Sequence, residues 1–198
     1  MKNNFQIEKA GMAFRAQRFE ECQLSYEAAL DREYSLEGWK GLGIAKLHRI
    51  SDDQSMKEVL YCLNKAIELY PKSKKETAIE LAKNCRFLLN KYSNMIIRLD
   101  EEIAAEKRRQ SWAFFFAMFS FFMRSASTTS KWSNTFSLAT AGGVGYGFSK
   151  FGSINSAEEA RLIVSDLIIE IHHGCDRFVK DTNQEKLPEY KAVKELEQ

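Results

Sequence analysis

The sequence predicts an all-α protein of stacked helical hairpins, followed by a long third helix, an apolar helical hairpin and a carboxyl-terminal helix. Only two prolines occur in 198 residues, so few positions must interrupt a helix. Apolar residues recur every three or four positions through most of the chain, which is the period of an amphipathic helix. Three of these segments open with Ser and carry Glu three residues later, the pattern of a helix capping box.

The first two predicted helices form a hairpin. Gly11, Ala13 and Phe14 lie on the first helix, and the pair Gln17 and Arg18 forms a short turn. The second helix then carries an apolar side at helical spacing. Its members are Phe19, Cys22, Tyr26, Ala29 and Leu30.

The second hairpin repeats this plan with clearer boundaries. Its first helix runs from Leu36 to His48, and Ser35 can cap its start. Its second helix opens at the capping box of Ser55 and ends before Pro71. Gly43 in mid-helix costs about 1 kcal/mol relative to alanine, which predicts a close approach of the partner helix at this position.

Self-similarity with a period near 34 residues is typical of stacked helical hairpins. The residues that carry it in the second hairpin are Trp39, Leu42, Gly43, Ala66 and Pro71, and those in the first are Gly11, Phe14 and Ala29. On these residues the segment 5–71 resembles the tetratricopeptide repeat (TPR) family. The resemblance implies binding of a protein or peptide partner along the concave side, which the first helix of each pair lines.

Carried onto this sequence, the resemblance implies seven partner-binding residues. They are Glu8, Met12, Arg15, Lys40, Ile44, Leu47 and His48. Some family members clamp a terminal carboxylate with paired Lys and Asn, but here Ile44 follows Lys40 by one turn, so that clamp is not expected. The alternative is that the seven are ordinary solvated or packing side chains, because a fold alone does not locate a site.

A third helix is predicted from Ser73, whose capping partner is Glu76, to about Gln110. Its apolar residues alternate spacings of three and four, a heptad-like stripe. The first half should cover the apolar side of the last hairpin. The second half, 91–110, runs past the stack and needs a partner of its own.

The composition changes abruptly after this helix. Residues 111–123 read SWAFFFAMFSFFM, apolar on every face, and no acidic residue occurs between Glu106 and Glu158. A run of about 13 apolar residues is shorter than the roughly 20 that cross a bilayer as a straight helix. We interpret 112–123, the polar turn 124–131 and 132–149 as a helical hairpin with aromatic and basic flanks.

Three interpretations of this hairpin are open. It inserts shallowly or as a re-entrant hairpin at the cytoplasmic face of a membrane, it is the core of a soluble helical domain, or it is an oligomerisation or partner-binding surface. Positive flanks and small residues every fourth position favour the membrane. The predicted membrane-contact residues are Trp112, Phe115, Phe116, Phe119, Phe122, Arg124, Lys131, Trp132, Gly143 and Gly147.

The last predicted helix opens at the capping box of Ser156 and ends near Gly174. It should return along the overhanging half of the long helix. The tail after Asp181 is charged and is expected to be a short exposed helix or disordered. The predicted division is a repeat module with its covering helix at 1–90, a helix extension at 91–110, the apolar hairpin at 111–152 and the carboxyl-terminal part at 153–198.

Composition and spacing argue against several functional classes. A net charge of +2 gives no general attraction for nucleic acid. The glycine cluster at 142–147 lacks the Lys-Ser/Thr of a phosphate loop, and His172 and His173 point in different directions on a helix, so no metal or cofactor is predicted. No histidine stands in a known catalytic spacing, so we expect no enzyme activity.

The four cysteines are far apart and fit buried, reduced thiols. Together with an amino terminus that lacks a secretion signal, they predict a cytoplasmic location. The leading hypothesis is an adaptor that binds a protein partner through the repeats and an anionic membrane surface through the hairpin. One alternative is a self-assembling or membrane-perturbing effector, for which a homo-oligomer is expected. The other is a soluble chaperone-like protein for an apolar client.

Overall fold

The structure is a computed structural model that describes residues 2–50, 54–126 and 156–197, with side chains for 5–50, 54–110, 112 and 156–196. These residues form seven α-helices and two short 3-10 turns, with no strand among them, so the all-α prediction is confirmed. The helices are α1 Lys2–Arg15, α2 Phe19–Leu30, α3 Leu36–His48, α4 Met56–Leu69, α5 Lys74–Ala126, α6 Ala157–Asp181 and α7 Pro188–Lys194, and the turns are Pro71–Ser73 and Glu195–Glu197.

The first four helices form two neighbouring pairs, as the apolar spacing predicts. Small residues bring α1, α2 and α3 together, since Ala10 and Ala13 of α1 pack with Cys22 of α2 and Ala45 of α3. The α3 helix has the predicted bounds. Its start is capped as expected, because the Gly38 N–H donates to Ser35 Oγ at 3.1 Å.

The α3 and α5 helices lie side by side and run in the same direction. Lys40 Nζ contacts Glu76 Oε1 at 2.8 Å near the start of both helices. Near the end of α3, His48 Nε2 is hydrogen-bonded to Asn84 Oδ1 at 2.8 Å. Both contacts join residues 36 positions apart, a separation close to the period of about 34 that stacked helical hairpins show.

One large apolar core joins α3 and α4 to α5, α6 and α7. Leu63 of α4, Tyr92 of α5, Ile171 of α6 and Tyr190 of α7 all belong to it. The α6 helix also packs on the second half of α5, where Arg161 Nε contacts an Asp100 carboxylate oxygen at 2.6 Å. The predicted pairing of the last long helix with this half of α5 is therefore present.

The α5 helix is longer than predicted. It continues to Ala126 instead of ending near Gln110, because no glycine or proline interrupts it. It therefore crosses the predicted boundaries at 90 and 110 without a break. Before its first residue, Ser73 Oγ donates a hydrogen bond to the Tyr70 carbonyl at 2.7 Å.

The carboxyl-terminal part differs from the prediction in two ways. Gly174 does not end α6, which continues to Asp181. A Cβ at Gly174 would overlap the Met56 side chain, so the glycine is a packing position. The tail is not an exposed or disordered segment, because Tyr190 and Val193 of α7 are buried in the main core.

Candidate interaction surfaces

The predicted partner-binding residues of α1 lie on its solvent side. Glu8, Met12 and Arg15 are exposed, whereas Ala10 and Ala13 of the same helix face α2 and α3. The three exposed residues are spaced by four and three positions and so share one side of the helix. They are accessible, but that side points away from α2 and α3.

Ile44 and Leu47 were expected to offer apolar contact to a partner, and that expectation is wrong. They are 3% and 0% exposed, because α3 is packed against α2, α4 and α5 on its different sides. Both residues are core side chains.

Lys40 is engaged within the protein. Its ammonium group lies 2.8 Å from Glu76 Oε1 and 3.0 Å from Glu80 Oε2, and its side chain is mostly covered. Partial burial disfavours the charge, but the two carboxylates outweigh it and raise the pKa of Lys40. Lys40 therefore joins α3 to α5.

His48 lies within an aromatic cluster whose members come from α1, α2, α3 and α5. Its ring stacks on Phe19 at 4.5 Å and contacts the Phe14 and Phe87 rings at 5.2 and 5.8 Å. Burial lowers the pKa of His48, although the hydrogen bond with Asn84 opposes this effect. The seven predicted partner-binding residues thus do not form one exposed surface.

A pocket of about 310 Å³ opens between α2, α3 and α4, on a side of α3 that does not face α5. Leu42 and Cys62 form its apolar floor and are nearly inaccessible. Trp39 and Tyr61 form an aromatic wall. Glu27, Lys46, Lys57 and Glu58 complete the lining.

The aromatic wall extends beyond the pocket onto the surface. The centres of the Trp39 and Tyr61 rings lie 6.1 Å apart, and the two rings are nearly at right angles. The Tyr34 ring stacks on the Trp39 ring, with its centre 6.1 Å from that of Trp39. Tyr61 remains 56% exposed and Tyr34 is more exposed still. Lys65 lies over the Tyr61 ring, with Nζ 5.7 Å from its centre.

The charged groups around the pocket are balanced. Lys46 Nζ contacts Glu58 Oε2 at 2.9 Å, and the Glu27 carboxylate accepts a hydrogen bond from Gln23 Nε2 at 2.9 Å. Lys57 supplies the second positive charge of the lining. With two acidic and two basic side chains, the lining favours neither sign of ligand charge.

This pocket was not predicted from the sequence, because Trp39 was interpreted only as a residue of the repeat pattern. Tyr61 lies off the buried side of α4, which includes Val59 and Leu63. The available signal was a group of aromatic side chains in and beside this hairpin that the repeat pattern does not explain. Tyr34 and Tyr61 belong to this group.

The carboxyl-terminal part of α5 extends past the start of α6. Lys107 Nζ contacts Glu158 Oε1 at 3.0 Å, and Glu158 is the second residue of α6. From Lys107 to Ala126, α5 extends roughly 29 Å at the usual helical rise. Trp112 lies on this extension and is 63% exposed.

The predicted membrane-contact residues are divided by what the structure describes. Phe115, Phe116, Phe119, Phe122 and Arg124 lie within α5, but their side chains are outside the described set, while Lys131, Trp132, Gly143 and Gly147 are outside the described residues altogether. The second half of the predicted apolar hairpin is therefore outside them too. In the described ranges, no helix has both the length and the apolar character that crossing a membrane requires.

The histidine pair near the end of α6 is divided between core and solvent, with His172 buried and His173 exposed. Over 2–50, 54–126 and 156–197, no group of three or more His, Cys, Asp or Glu residues is arranged to hold a metal ion.

The four cysteines are buried and form no disulfide, as predicted. They are Cys22, Cys62, Cys85 and Cys175.

No protein-family profile matches this sequence, and neither a curated protein nor a solved structure shows significant similarity to it.

Proposed function

We propose that this chain is a non-enzymatic adaptor whose helical module binds a protein partner and whose α5 extension associates with a membrane surface. The observation that carries the first part is the pocket between α2, α3 and α4. The TPR likeness is part of the same proposal. It is supported by the parallel contacts of α3 with α5 at 36-residue separation.

The pocket suits a side chain of a partner protein better than a free small molecule. Its volume of about 310 Å³ is at the lower end of ligand pockets, which span about 300–1,000 Å³. Tyrosine and tryptophan are enriched where protein interfaces bind most strongly, and such residues cluster around small pockets. Trp39 and Tyr61 provide that combination here.

The guest we propose is an apolar side chain that projects from the partner. The floor formed by Leu42 and Cys62 offers no strong hydrogen-bonding group, and the charged lining is balanced. A charged guest would lose its hydration without gaining a matching charge. An apolar guest would gain the burial of its own surface and that of the aromatic wall.

The membrane part of the proposal has separate support. The α5 extension carries the run SWAFFFAMFSFFM, and a helix that is apolar all round requires burial in protein or lipid. The absence of acidic residues between Glu106 and Glu158 favours an anionic membrane surface as the apolar environment. The run is short, so the proposed mode is insertion without crossing.

Peptide display on the purified full-length chain tests the partner site. Selected peptides are expected to share an apolar anchor residue and to bind Tyr61→Ala at least tenfold more weakly, since loss of a central aromatic contact costs about 1.4 kcal/mol or more. Tyr70→Ala is the matched control, because Tyr70 is a similarly exposed tyrosine of the same hairpin outside the pocket. The pocket would be rejected as the site if the selected peptides bound Tyr61→Ala and Tyr70→Ala equally well. It would also be rejected if no peptide were enriched on this chain over an unrelated protein.

A further inference from the structure

We infer that Lys107, Arg108 and Arg109 form a binding site for the phosphate headgroups of anionic lipids, and that Glu158 competes with those headgroups for Lys107. These three basic residues are called the basic collar below. The inference rests on the proposed membrane association of the α5 extension and adds the lipid class and the residues that select it.

The basic collar lies where α5 leaves its last described partner helix. The contact of Lys107 with Glu158 places the collar beside the first turn of α6. Beyond it come the exposed Trp112 and the apolar run. In a helix that enters a bilayer surface, the residues at this position meet the headgroup layer, where basic and tryptophan side chains are favoured.

The collar surrounds more than half of the helix. Three consecutive residues are spread over about 200° of the helix circumference at about 100° per residue. Lys107, Arg108 and Arg109 are all exposed, and Arg108 Nε donates to the Ala104 carbonyl at 3.1 Å, which holds that side chain along the helix. A helix standing in a membrane surface could therefore present positive charge to headgroups on several sides.

Charge along α5 also orients the helix. Acidic residues precede the collar in a cluster that includes Asp100, Glu101, Glu102 and Glu106, whereas no acidic residue follows it in α5. An anionic surface would attract the collar and repel the acidic cluster. The expected result is end-on contact in which the collar, and not the acidic segment, touches the headgroups.

The Lys107–Glu158 pair is well suited to exchange. The two groups lie 3.0 Å apart, and their side chains are 68% and 62% exposed. Ion pairs this exposed are weak because water and salt screen them. A lipid phosphate can replace the Glu158 carboxylate on Lys107, so Glu158 reduces the charge that the collar offers to a membrane.

Vesicle binding by the full-length chain tests the inference, with phosphatidylcholine vesicles compared with vesicles that also contain phosphatidylserine. Wild type should prefer the anionic vesicles. The triple change Lys107→Gln, Arg108→Gln and Arg109→Gln should lower binding to them on the order of 100-fold, at about fivefold for each basic residue. Glu158→Gln should raise it by up to about fivefold.

Two controls carry the same changes of net charge at other places. Lys72→Gln, Lys74→Gln and Lys75→Gln remove three exposed lysines near the start of α5, and Glu20→Gln removes one exposed carboxylate of α2. Neither control should reproduce the effect of the matching collar variant. All the replaced side chains are exposed, and unchanged melting temperatures are expected throughout.

The outcomes separate the inference from the proposed function on which it rests. The collar would not be the lipid-binding site if wild type and the collar variant bound anionic vesicles equally. The same conclusion would follow if wild type bound both lipid mixtures equally. Either result would leave membrane association standing. An unchanged affinity of Glu158→Gln would overturn the competition at Lys107. Failure of wild type to bind either kind of vesicle would overturn the membrane association itself.

Discussion

The Glu170 carboxylate of α6 accepts a hydrogen bond from the backbone N–H of Met56, the first residue of α4, at 2.8 Å. The first N–H groups of a helix have no partner within the helix, and a negative charge is favourable there. Ser55 precedes α4 as the capping box predicts, but its side chain makes no capping hydrogen bond. A residue 114 positions away therefore supplies what local sequence was expected to provide.

Replacing Glu170 with alanine should destabilise the protein by about 1 kcal/mol, the usual cost of losing a helix cap. The Met56 N–H would lose its protein acceptor, and α4 would lose one link to α6. Denaturant unfolding of wild type and Glu170→Ala gives the difference in free energy of unfolding. Asp166→Ala is the control, because Asp166 is an exposed carboxylate of the same helix. Equal losses in the two variants would show that Glu170 acts only through its charge on α6.

Gly174→Ala should also destabilise the protein, by roughly 1–2 kcal/mol. Alanine improves helix propensity by up to about 1 kcal/mol, but the added Cβ overlaps the Met56 side chain, and overpacking costs about 1–3 kcal/mol. Gly11→Ala is the matched control. A Cβ at Gly11 meets only Arg15 Nη1, at 3.9 Å, so that change should stabilise α1.

A double-mutant cycle identifies the cause of the Gly174 effect. In a Met56→Ala background the side chain that blocks the new Cβ is shortened, so Gly174→Ala should cost less than it does in wild type. Chemical denaturation of the four proteins measures the coupling. Additive free energies would show that Met56 is not the residue that requires glycine at 174.

The sequence predicted those elements whose boundaries depend on local residues. The α3 helix has its predicted bounds because Ser35 caps it and its apolar spacing is regular. Gly43 is a close-packing position as expected, since a Cβ there would lie 2.9 Å from Leu63 Cδ2. Gly174 has the same role in α6, but glycine near the end of an apolar stripe also marks many helix ends. Only the position of Met56, on another helix, shows that Gly174 is a packing glycine and not one that ends α6.

The candidate pocket could not be predicted for a related reason. The repeat pattern correctly marks Leu42 as a packing residue, but it does not tell which side of α3 remains uncovered. Ile44 and Leu47 are buried because α5 lies alongside α3 through Lys40 and His48, contacts that join residues far apart in sequence. Exposure of Tyr61 likewise depends on how α2, α3 and α4 are placed around the pocket.

The cysteines should react slowly with thiol reagents in the folded protein. Burial raises the pKa of Cys22 and of Cys62 to about 11. At pH 8 about one in a thousand of such groups is a thiolate, compared with about one in ten for a thiol of pKa near 9. Burial also raises the pKa of Cys85, and a hydrogen bond with Cys175 adds to it.

Spectroscopic labelling with dithionitrobenzoate at pH 8 tests this prediction. Native protein should label slowly, whereas all four thiols should react at once in denaturant, because unfolding exposes them and restores the ordinary pKa of Cys22, Cys62 and Cys85. Destabilised Gly174→Ala should label faster than wild type, since labelling follows opening of the fold. Rapid labelling of native wild type would contradict the buried placement of the thiols.

His48 should make stability depend on pH below about 7. Burial lowers its folded-state pKa below the ordinary value near 6.5, despite the hydrogen bond with Asn84. The unfolded chain then binds a proton more readily than the folded one, so the free energy of unfolding falls as the pH drops below about 6.5. Well above that pH the ring is neutral in both states and the contribution is complete.

The comparison that isolates this effect is wild type against His48→Gln. Glutamine keeps a donor for Asn84 Oδ1 but does not titrate, while His172 and His173 remain in both proteins. Free energies of unfolding measured from pH 5 to pH 8 should fall more steeply in wild type on the acid side, and the two slopes should agree above pH 7. Parallel curves over the whole range would mean that the burial of His48 does not oppose its protonation.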